Sequence, residues 1–270
     1  MSSSPGSAAA DAPAYVLRDD ANGIARLTLN RPAARNALSM EMMASLIEVL
    51  GDIADDKTIK CIILSANGPG FCAGHDLKQL MGHKGDVAYY RQVFERCSQL
   101  MTSLVRQPQL VIAQVHGIAA AAGTQLVASC DLAIAGGDAK FALPGVNIGL
   151  FCSTPMVAVS RNLARKHVME MLVTGDMVTA ERAAETGLIN RVVAADNLAA
   201  ETETLAAKIV SKSSRTMKIG KEAYYHQLEM TLDDAYAYTG EVMAQNMLAA
   251  DAEEGITAFI DKRPPTWAED

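Results

Sequence analysis

Two short glycine-containing segments each lead into a predicted helix, and together they could hold a carbonyl oxygen that gains negative charge. They are Ala73-Gly-His-Asp76 and Ala121-Ala-Gly-Thr124. The start of a helix has backbone N–H groups without partners and a partial positive charge. Two such starts that face each other would form an oxyanion hole. Because a glycine at a turn more often has only a structural role, the local pattern leaves both a simple turn and an oxyanion hole open as interpretations.

Few groups near these segments could transfer a proton. His75 carries an imidazole, which titrates near neutrality, although a packed or solvent-facing turn residue is the commoner role for such a histidine. Cys152 and Ser153 lie in the stretch GLFCSTP, and a buried small apolar residue is the commoner role for Cys152. Asp131 is interpreted as a structural carboxylate that caps or pairs with a neighbour.

The elements that must position these residues follow from hydrophobic periodicity. Six segments are predicted as strands, and they are 15–16, 24–29, 61–64, 110–115, 132–135 and 139–142. A turn at 19–23 joins the first two of them. Ser39 is the predicted N-cap of a first long helix, a second covers about 87–106, and the chain after 142 is mostly helical to about 260. The repeated unit is strand, strand, helix, which predicts an α/β fold.

Composition sets limits on the class of protein. Half of the 270 residues are hydrophobic and a fifth are charged, the balance of an ordinary globular protein. The net charge of −7 argues against a general nucleic-acid-binding protein. No apolar run approaches the roughly 18 residues of a membrane span, so we expect neither nucleic acid nor membrane as partner. We predict a disordered tail at 1–14, a ligand-binding core at 15–200 and a helical C-terminal region at 201–270.

Cysteine usage and the first residues predict the compartment. The five cysteines are an odd number without CxxC spacing, which favours reduced thiols over a disulfide framework. No Cys/His cluster has metal-ligand spacing, so no metal is expected. The first 15 residues are small and polar, with no basic residue before Arg18, and resemble neither a secretory signal nor a transit peptide. On these grounds we predict a cytoplasmic protein.

Three ordered motifs extend this interpretation to nearly the whole chain. NRPAARNAL begins at residue 30, FCAGHDLKQL at 71, and HGIAAAAGTQLVASCDLAIAGGDAKFALPGVNIGL at 116. From about residue 15 to the C-terminus, this order and spacing resemble the enoyl-CoA hydratase/isomerase (crotonase) superfamily. The resemblance implies repeated strand–strand–helix units with a helical C-terminal trimerisation region, assembled as homotrimers or hexamers. It also implies an acyl-CoA substrate, with no separate cofactor.

The resemblance also assigns roles to individual residues. It places the thioester carbonyl between the backbone N–H groups of His75 and Ala122. Ala122 replaces a glycine of the family pattern: it still supplies an N–H, but its Cβ could crowd the acyl group or restrict the backbone if φ must be positive. Phe259 and Lys262 would meet the nucleotide end of CoA, on the same or a neighbouring subunit, and Lys262 fits a solvated last-turn cation equally well. The adenine and pantetheine contacts would come from Ala33, Ala34, Arg35, Ala73, Asp76 and Leu77.

The two glutamates of the family's hydratases have no counterparts here. The resemblance places them at Gln125 and Gly145, whose side chains cannot transfer protons, whereas a positioned acid or base gives about 10²–10⁴-fold in rate. Ser153 falls where some family isomerases carry an aspartate, so it or His75 could substitute. We therefore predict an acyl-CoA-binding protein, nominally a hydratase or isomerase acting through a thioester enolate. The alternatives are a non-catalytic acyl-CoA binder or assembly partner, and a different acyl-CoA reaction such as hydrolysis or dehalogenation.

Overall fold

The computed structural model describes residues 14–268. The predicted disordered tail therefore lies almost entirely outside the described residues. Within that range the strands are β1 (Val16–Ala21), β2 (Ile24–Leu29), β3 (Cys61–Ala66), β4 (Leu110–Val115), β5 (Ile118–Ala120), β6 (Leu132–Gly136), β7 (Lys140–Ala142), β8 (Val178–Thr179) and β9 (Arg191–Val193). The helices are α1 (Met40–Ala54), α2 (Leu77–Gly82), α3 (Val87–Arg106), α4 (Ala122–Ser129), α5 (Pro155–Val159), α6 (Arg165–Thr174), α7 (Ala180–Thr186), α8 (Leu198–Val210), α9 (Ser214–Gln227), α10 (Leu232–Asn246) and α11 (Ala250–Ile260).

The strands form two sheets. The larger has the order β1-β2-β3-β4-β6-β9, and all its neighbours are parallel except β1 and β2. The smaller sheet has the order β5-β7-β8. The units β4–β5–α4 and β6–β7–α5 show the predicted strand–strand–helix repeat. The α/β prediction is confirmed.

The first hairpin differs from its prediction. β1 continues to Ala21, and the turn is only Asn22 and Gly23, with φ values of 55° and 74°. Two residues with positive φ are typical of the tight type I′ turn, which matches the twist of the two strands. The exposed charged residues of β1 gave no apolar pattern, because this strand lies at the edge of its sheet.

Helices cover both faces of the larger sheet. On one face, α1 begins at the predicted cap Ser39, whose Oγ accepts from the Met42 N–H at 3.2 Å, and it packs against α3 in the main hydrophobic core. On the other face, α8 contributes Ala206 and Ile209 to a second, smaller core. The predicted domain boundary at residue 200 falls within α8, which packs against β3, β4 and β6.

The C-terminal helix α9 is attached to the sheet by a buried ion pair. Lys221 Nζ lies 2.7 Å from Asp131 Oδ2 and also donates to two backbone carbonyls. The Tyr225 hydroxyl donates to Asp131 Oδ1 at 3.0 Å, and the Val111 N–H donates to Oδ2. These contacts confirm that Asp131 is a structural carboxylate.

Several expectations about composition can be compared with the described residues. Between residues 14 and 268, no helix combines the length and the apolar composition needed to span a bilayer. The same range holds no group of three or more His, Cys, Asp or Glu side chains arranged to bind a metal ion. All five cysteines are buried free thiols.

Candidate active site

The two glycine-containing segments of the sequence lie against each other. Cys72 forms a parallel bridge with Ala119, and its carbonyl accepts from the Ala120 N–H at 2.9 Å. Gly74 and Ala122, which follow in the two segments, are also close together, since a Cβ added to Gly74 would lie 3.4 Å from the Ala122 nitrogen. The fold therefore brings the start of α4 beside the turn that precedes α2.

Several backbone N–H groups of the two segments have no acceptor within residues 14–268. They include the N–H groups of His75 and Ala122, each of which adjoins one amide that is used. The Asp76 N–H donates to Leu38 O at 3.1 Å, and the Ala121 N–H donates to Ala142 O at 2.9 Å. Ala122 is the first residue of α4, where the helix itself supplies no acceptor. Two free donors on adjoining segments are what an oxyanion hole requires.

Backbone strain in this region lies at Ala121 and not at Ala122. Ala122 is the buried first residue of α4 and is not among the residues with positive φ. Ala121 has φ 50° and ψ −115°, a conformation that normally requires glycine. The sequence prediction considered only Ala122. The run of four alanines that ends at Ala122 gives no indication of which one adopts the strained conformation.

His75 is uncharged at neutral pH. Its ring makes an edge-to-face contact with Phe94 of α3, with ring centroids 5.4 Å apart. Burial lowers its pKa to about 4. Its Nε2 atom is buried and has no hydrogen-bond partner in the described part of the chain. The expectation that this imidazole titrates near neutrality is therefore wrong, because packing of the half-buried ring removes part of its hydration and no nearby charge compensates.

Gln125 is buried one helical turn after Ala122. Its Oε1 atom accepts from the Cys97 thiol at an S···O distance of 3.7 Å. Burial raises the pKa of Cys97 to about 12, so the thiol is protonated and inert as a base. Sequence reasoning assigned no role to Cys97 or Phe94. They lie one turn apart on α3, and that spacing is the only signal in the sequence that both face the same neighbours.

Gly145 is enclosed by its own loop. It lies in a 3₁₀ turn at Pro144–Ile148, and its carbonyl accepts from the Leu150 N–H at 2.9 Å. A Cβ at this position would lie 2.9 Å from both Cys152 Sγ and Leu150 O. Cys152 is buried, and burial raises the pKa of its thiol, as expected for a small apolar residue. No side chain, glutamate included, fits at position 145 unless the loop moves.

Ser153 is exposed in the loop before α5. Its hydroxyl donates to Phe151 O at 3.4 Å, and no base lies within hydrogen-bond distance among the described residues. The structure thus shows no partner that would activate this serine. Its suggested role as a substitute acid or base stays a prediction without support from the geometry.

The residues assigned to the coenzyme form two adjacent segments. Ala33 and Ala34 lie in a 3₁₀ turn, and the carbonyl of Arg35 accepts from the Ala73 N–H at 3.0 Å. Asp76 caps α2 by accepting from two of its first N–H groups through Oδ1, and its Oδ2 accepts from the Arg31 guanidinium at 2.6 Å. The partners of this carboxylate are therefore known, whereas its contact with CoA stays a prediction.

The remaining assigned residues are exposed. Leu77 begins α2 and is about half exposed. Phe259, near the end of α11, is 84% exposed. Lys262 follows α11 and makes no ion pair within the described residues. Their placement at the coenzyme stays a prediction.

Comparison with known proteins agrees with this geometry. The family model for enoyl-CoA hydratase/isomerase matches residues 19–270. The chain belongs to the enoyl-CoA hydratase/isomerase family. It is 46% identical over 255 residues to the enoyl-CoA hydratase domain-containing protein 3, mitochondrial, of Xenopus laevis, with 94% of this chain and 86% of that protein covered.

Two solved structures of this family superpose closely on the chain. An enoyl-CoA hydratase of Mycobacterium smegmatis is 50% identical, with a TM-score of 0.91 and coverage of 94% of this chain and 98% of the other. The human enoyl-CoA hydratase domain-containing protein 3 is 44% identical, with the same TM-score and coverage of 94% and 100%. The crotonase fold predicted from the three motifs is therefore confirmed.

The prediction of a cytoplasmic protein is contradicted by these family members. Five vertebrate relatives that are 43–46% identical to this chain are all named as mitochondrial. The prediction rested on reduced cysteines and on the composition of the first residues. Free buried thiols are compatible with any reducing compartment, so they did not distinguish the cytoplasm from the mitochondrion.

Proposed function

We propose that this family member binds acyl-CoA thioesters and holds the thioester carbonyl oxygen between the N–H groups of His75 and Ala122. The observation that supports the proposal most directly is that these two N–H groups lie on adjoining segments and have no acceptor among residues 14–268. The names of the relatives, which refer to enoyl-CoA hydratase, point to the same class of ligand. Donors of this kind favour the enolate over the neutral thioester, because negative charge develops on the oxygen.

The chemistry at this site would be slow wherever it needs a proton relay. One oxyanion donor is worth roughly 3–4 kcal/mol of transition-state stabilisation. The absence of each general acid or base lowers the rate by about 10²–10⁴-fold. Gln125 can only orient a water molecule, and Gly145 has no side chain. We therefore propose slow enolate chemistry on an acyl-CoA and not efficient hydration.

A matched pair of ligands tests the carbonyl site. Butyryl-CoA and the butyl thioether of CoA have the same length and differ in the carbonyl oxygen. Two net hydrogen bonds of about 0.5–1.5 kcal/mol each predict that calorimetry will find the thioester bound at least about fivefold more tightly. Equal affinities would contradict the oxyanion site, and no binding of either ligand would contradict the acyl-CoA assignment.

Two rate measurements separate enolate chemistry from hydration. NMR in D₂O follows exchange of the α-protons of butyryl-CoA, and the absorbance of the conjugated thioester follows hydration of crotonyl-CoA. We expect measurable exchange and a hydration rate far below the enzyme median of about 10 s⁻¹. Hydration at that median rate would show that the argument from the missing glutamates is wrong.

A non-catalytic acyl-CoA binder is the second candidate function. The enclosed backbone around Gly145 favours it, because the loop leaves no room for the acid that hydration needs. This candidate predicts tight binding of butyryl-CoA together with no exchange of its α-protons and no turnover of crotonyl-CoA. Detectable exchange above the protein-free rate would exclude it.

We also propose that the protein works as a homotrimer or hexamer. The C-terminal helices expose large apolar side chains that a monomer would leave in water, a common property of interaction surfaces. The most exposed among them are Leu232, Tyr236, Leu248, Phe259 and Ile260. Size-exclusion chromatography with light scattering should give a mass of three or six chains, and a monomer at micromolar concentration would contradict this proposal.

A further inference from the structure

The side-chain amide of Gln125 has one end fixed and the other end free. Its Oε1 atom accepts from the Cys97 thiol at 3.7 Å, and this is the only hydrogen bond that either side chain makes within residues 14–268. The Nε2 atom has no partner there, and it is not one of the buried polar atoms that the fold seals off without a partner. Although the residue is only 4% exposed, this nitrogen therefore keeps a surface that a ligand or a water molecule can touch.

The free nitrogen lies on the side of the proposed acyl site. Side chains of an α-helix lean toward the helix N-terminus, so Gln125 extends back toward Ala122, the first residue of α4. The Ala122 N–H is one of the two donors proposed for the thioester carbonyl. The amide of Gln125 and this backbone donor therefore approach the same ligand from one helix.

Cys97 determines which end of the amide is free. Its thiol is protonated at neutral pH, and its sulfur is only a weak acceptor. Turning the amide by about 180° would place Nε2 against the sulfur and leave the thiol proton without an acceptor in the described part of the chain. Both side chains are buried, where a donor without an acceptor is unfavourable. The orientation with Oε1 on the thiol and Nε2 free is therefore the favoured one.

We infer that Cys97 is a positioning residue, which holds the Gln125 amide so that it presents an NH₂ donor to the acyl group and no acceptor. This inference rests on the proposed function. Hydration needs a group that accepts a proton from water. An NH₂ group instead binds a water molecule through a lone pair on the oxygen, which is the atom that would attack the acyl chain. A donor at this place favours the negative charge of an enolate and works against the addition of water.

The S–H stretching band of Cys97 tests the hydrogen bond in the ligand-free protein. The infrared difference between each protein and its Cys97→Ser counterpart isolates this band from those of the other cysteines. Gln125→Leu removes the acceptor, so it should move the band to the higher wavenumber of a thiol without a hydrogen bond. Gln99→Leu, the same change at an exposed glutamine of α3, should leave the band in place. A band that Gln125→Leu does not move would overturn the inference.

Addition of butyryl-CoA tests whether the amide faces the ligand. Hydrogen bonds in a chain polarise one another, so a new partner at Nε2 should strengthen the bond at Oε1 and shift the Cys97 band. Free CoA, which lacks the acyl group, should leave the band unshifted. If butyryl-CoA binds and the band does not shift, the inference is wrong while the proposed function stands. If butyryl-CoA does not bind, the proposed function is wrong and the inference falls with it.

Exchange of the α-protons of butyryl-CoA in D₂O tests the catalytic consequence. Cys97→Ala frees the amide to turn, so the maximal exchange rate should fall about two- to tenfold, the effect of one hydrogen bond, while KM stays within about twofold. Cys97→Ser keeps a donor and should restore the rate, whereas a purely structural role would not be rescued by a smaller, polar residue. An unchanged rate in Cys97→Ala, or no rescue by serine, would overturn the inference. In a protein that binds butyryl-CoA without any exchange, the shift of the Cys97 band alone decides.

Discussion

Acidification should destabilise the folded protein through His75, because burial lowers the pKa of this imidazole to about 4. In the unfolded chain the same group has a pKa near its ordinary value of about 6.5. Below that value the unfolded chain binds a proton that the folded chain does not. The contribution to stability is therefore complete above pH of about 6.5 and is lost as the pH falls from there to about 4. Linkage between these two values gives a loss of about 2 kcal/mol between pH 7 and pH 5.

Urea unfolding at both pH values measures this loss. Other groups titrate in the same range, so the informative quantity is the difference between the wild type and His75→Phe, in which their contributions cancel. The wild type should lose about 2 kcal/mol more than the variant on going from pH 7 to pH 5. His226→Phe should behave as the wild type, because this histidine is exposed. Equal losses in the wild type and in His75→Phe would refute the argument that packing lowers the pKa of His75.

Three further predictions concern stability and can be checked by urea unfolding at pH 7. Ala121→Gly should raise the free energy of unfolding by about 1 kcal/mol, because glycine adopts a positive φ without strain. Ala122→Gly should lower the free energy of unfolding by about 0.5–1 kcal/mol. A change of the same sign in both variants would contradict the assignment of strain to Ala121. Gly145→Ala should lower the free energy of unfolding by about 1–3 kcal/mol, because the added Cβ would lie too close to the loop. An unchanged free energy of unfolding would mean that the loop can move without a loss of stability. Lys221→Met should cost about 3–5 kcal/mol by leaving Asp131 buried without its cation, and the double variant with Asp131→Asn should lose less than the sum of the single changes.

Local pattern predicted the elements that are buried or strongly periodic. The helix α3 was expected at about 87–106 and is found at Val87–Arg106, and β4 has its predicted bounds of 110–115. Both have apolar residues at the spacing that burial requires. β1 was mostly missed, because an edge strand with charged, exposed residues lacks such a pattern.

The site was predictable only in the parts that a motif or a helix start reveals. The segments that hold His75 and Ala122 were identified from the sequence, and the structure places them in contact. The partners on α3 were missed, because Phe94 and Cys97 meet the site through tertiary contacts that no local pattern encodes. The lowered pKa of His75 was missed for the same reason, since burial is a property of the packed fold.

The positions at which the family's hydratases carry glutamates differ in what the fold allows. At Gln125 a carboxylate would have nearly the size and shape of the amide, so the backbone and the contact with Cys97 place no steric limit on an acid. At Gly145 even a methyl group would lie 2.9 Å from two atoms of the loop, so an acid requires a different loop. A single substitution could therefore place an acid at position 125, whereas an acid at position 145 would also need a different loop conformation. A natural reaction at this site accordingly needs no proton relay from the Gly145 loop, which favours binding or slow enolate chemistry of an acyl-CoA over addition of water.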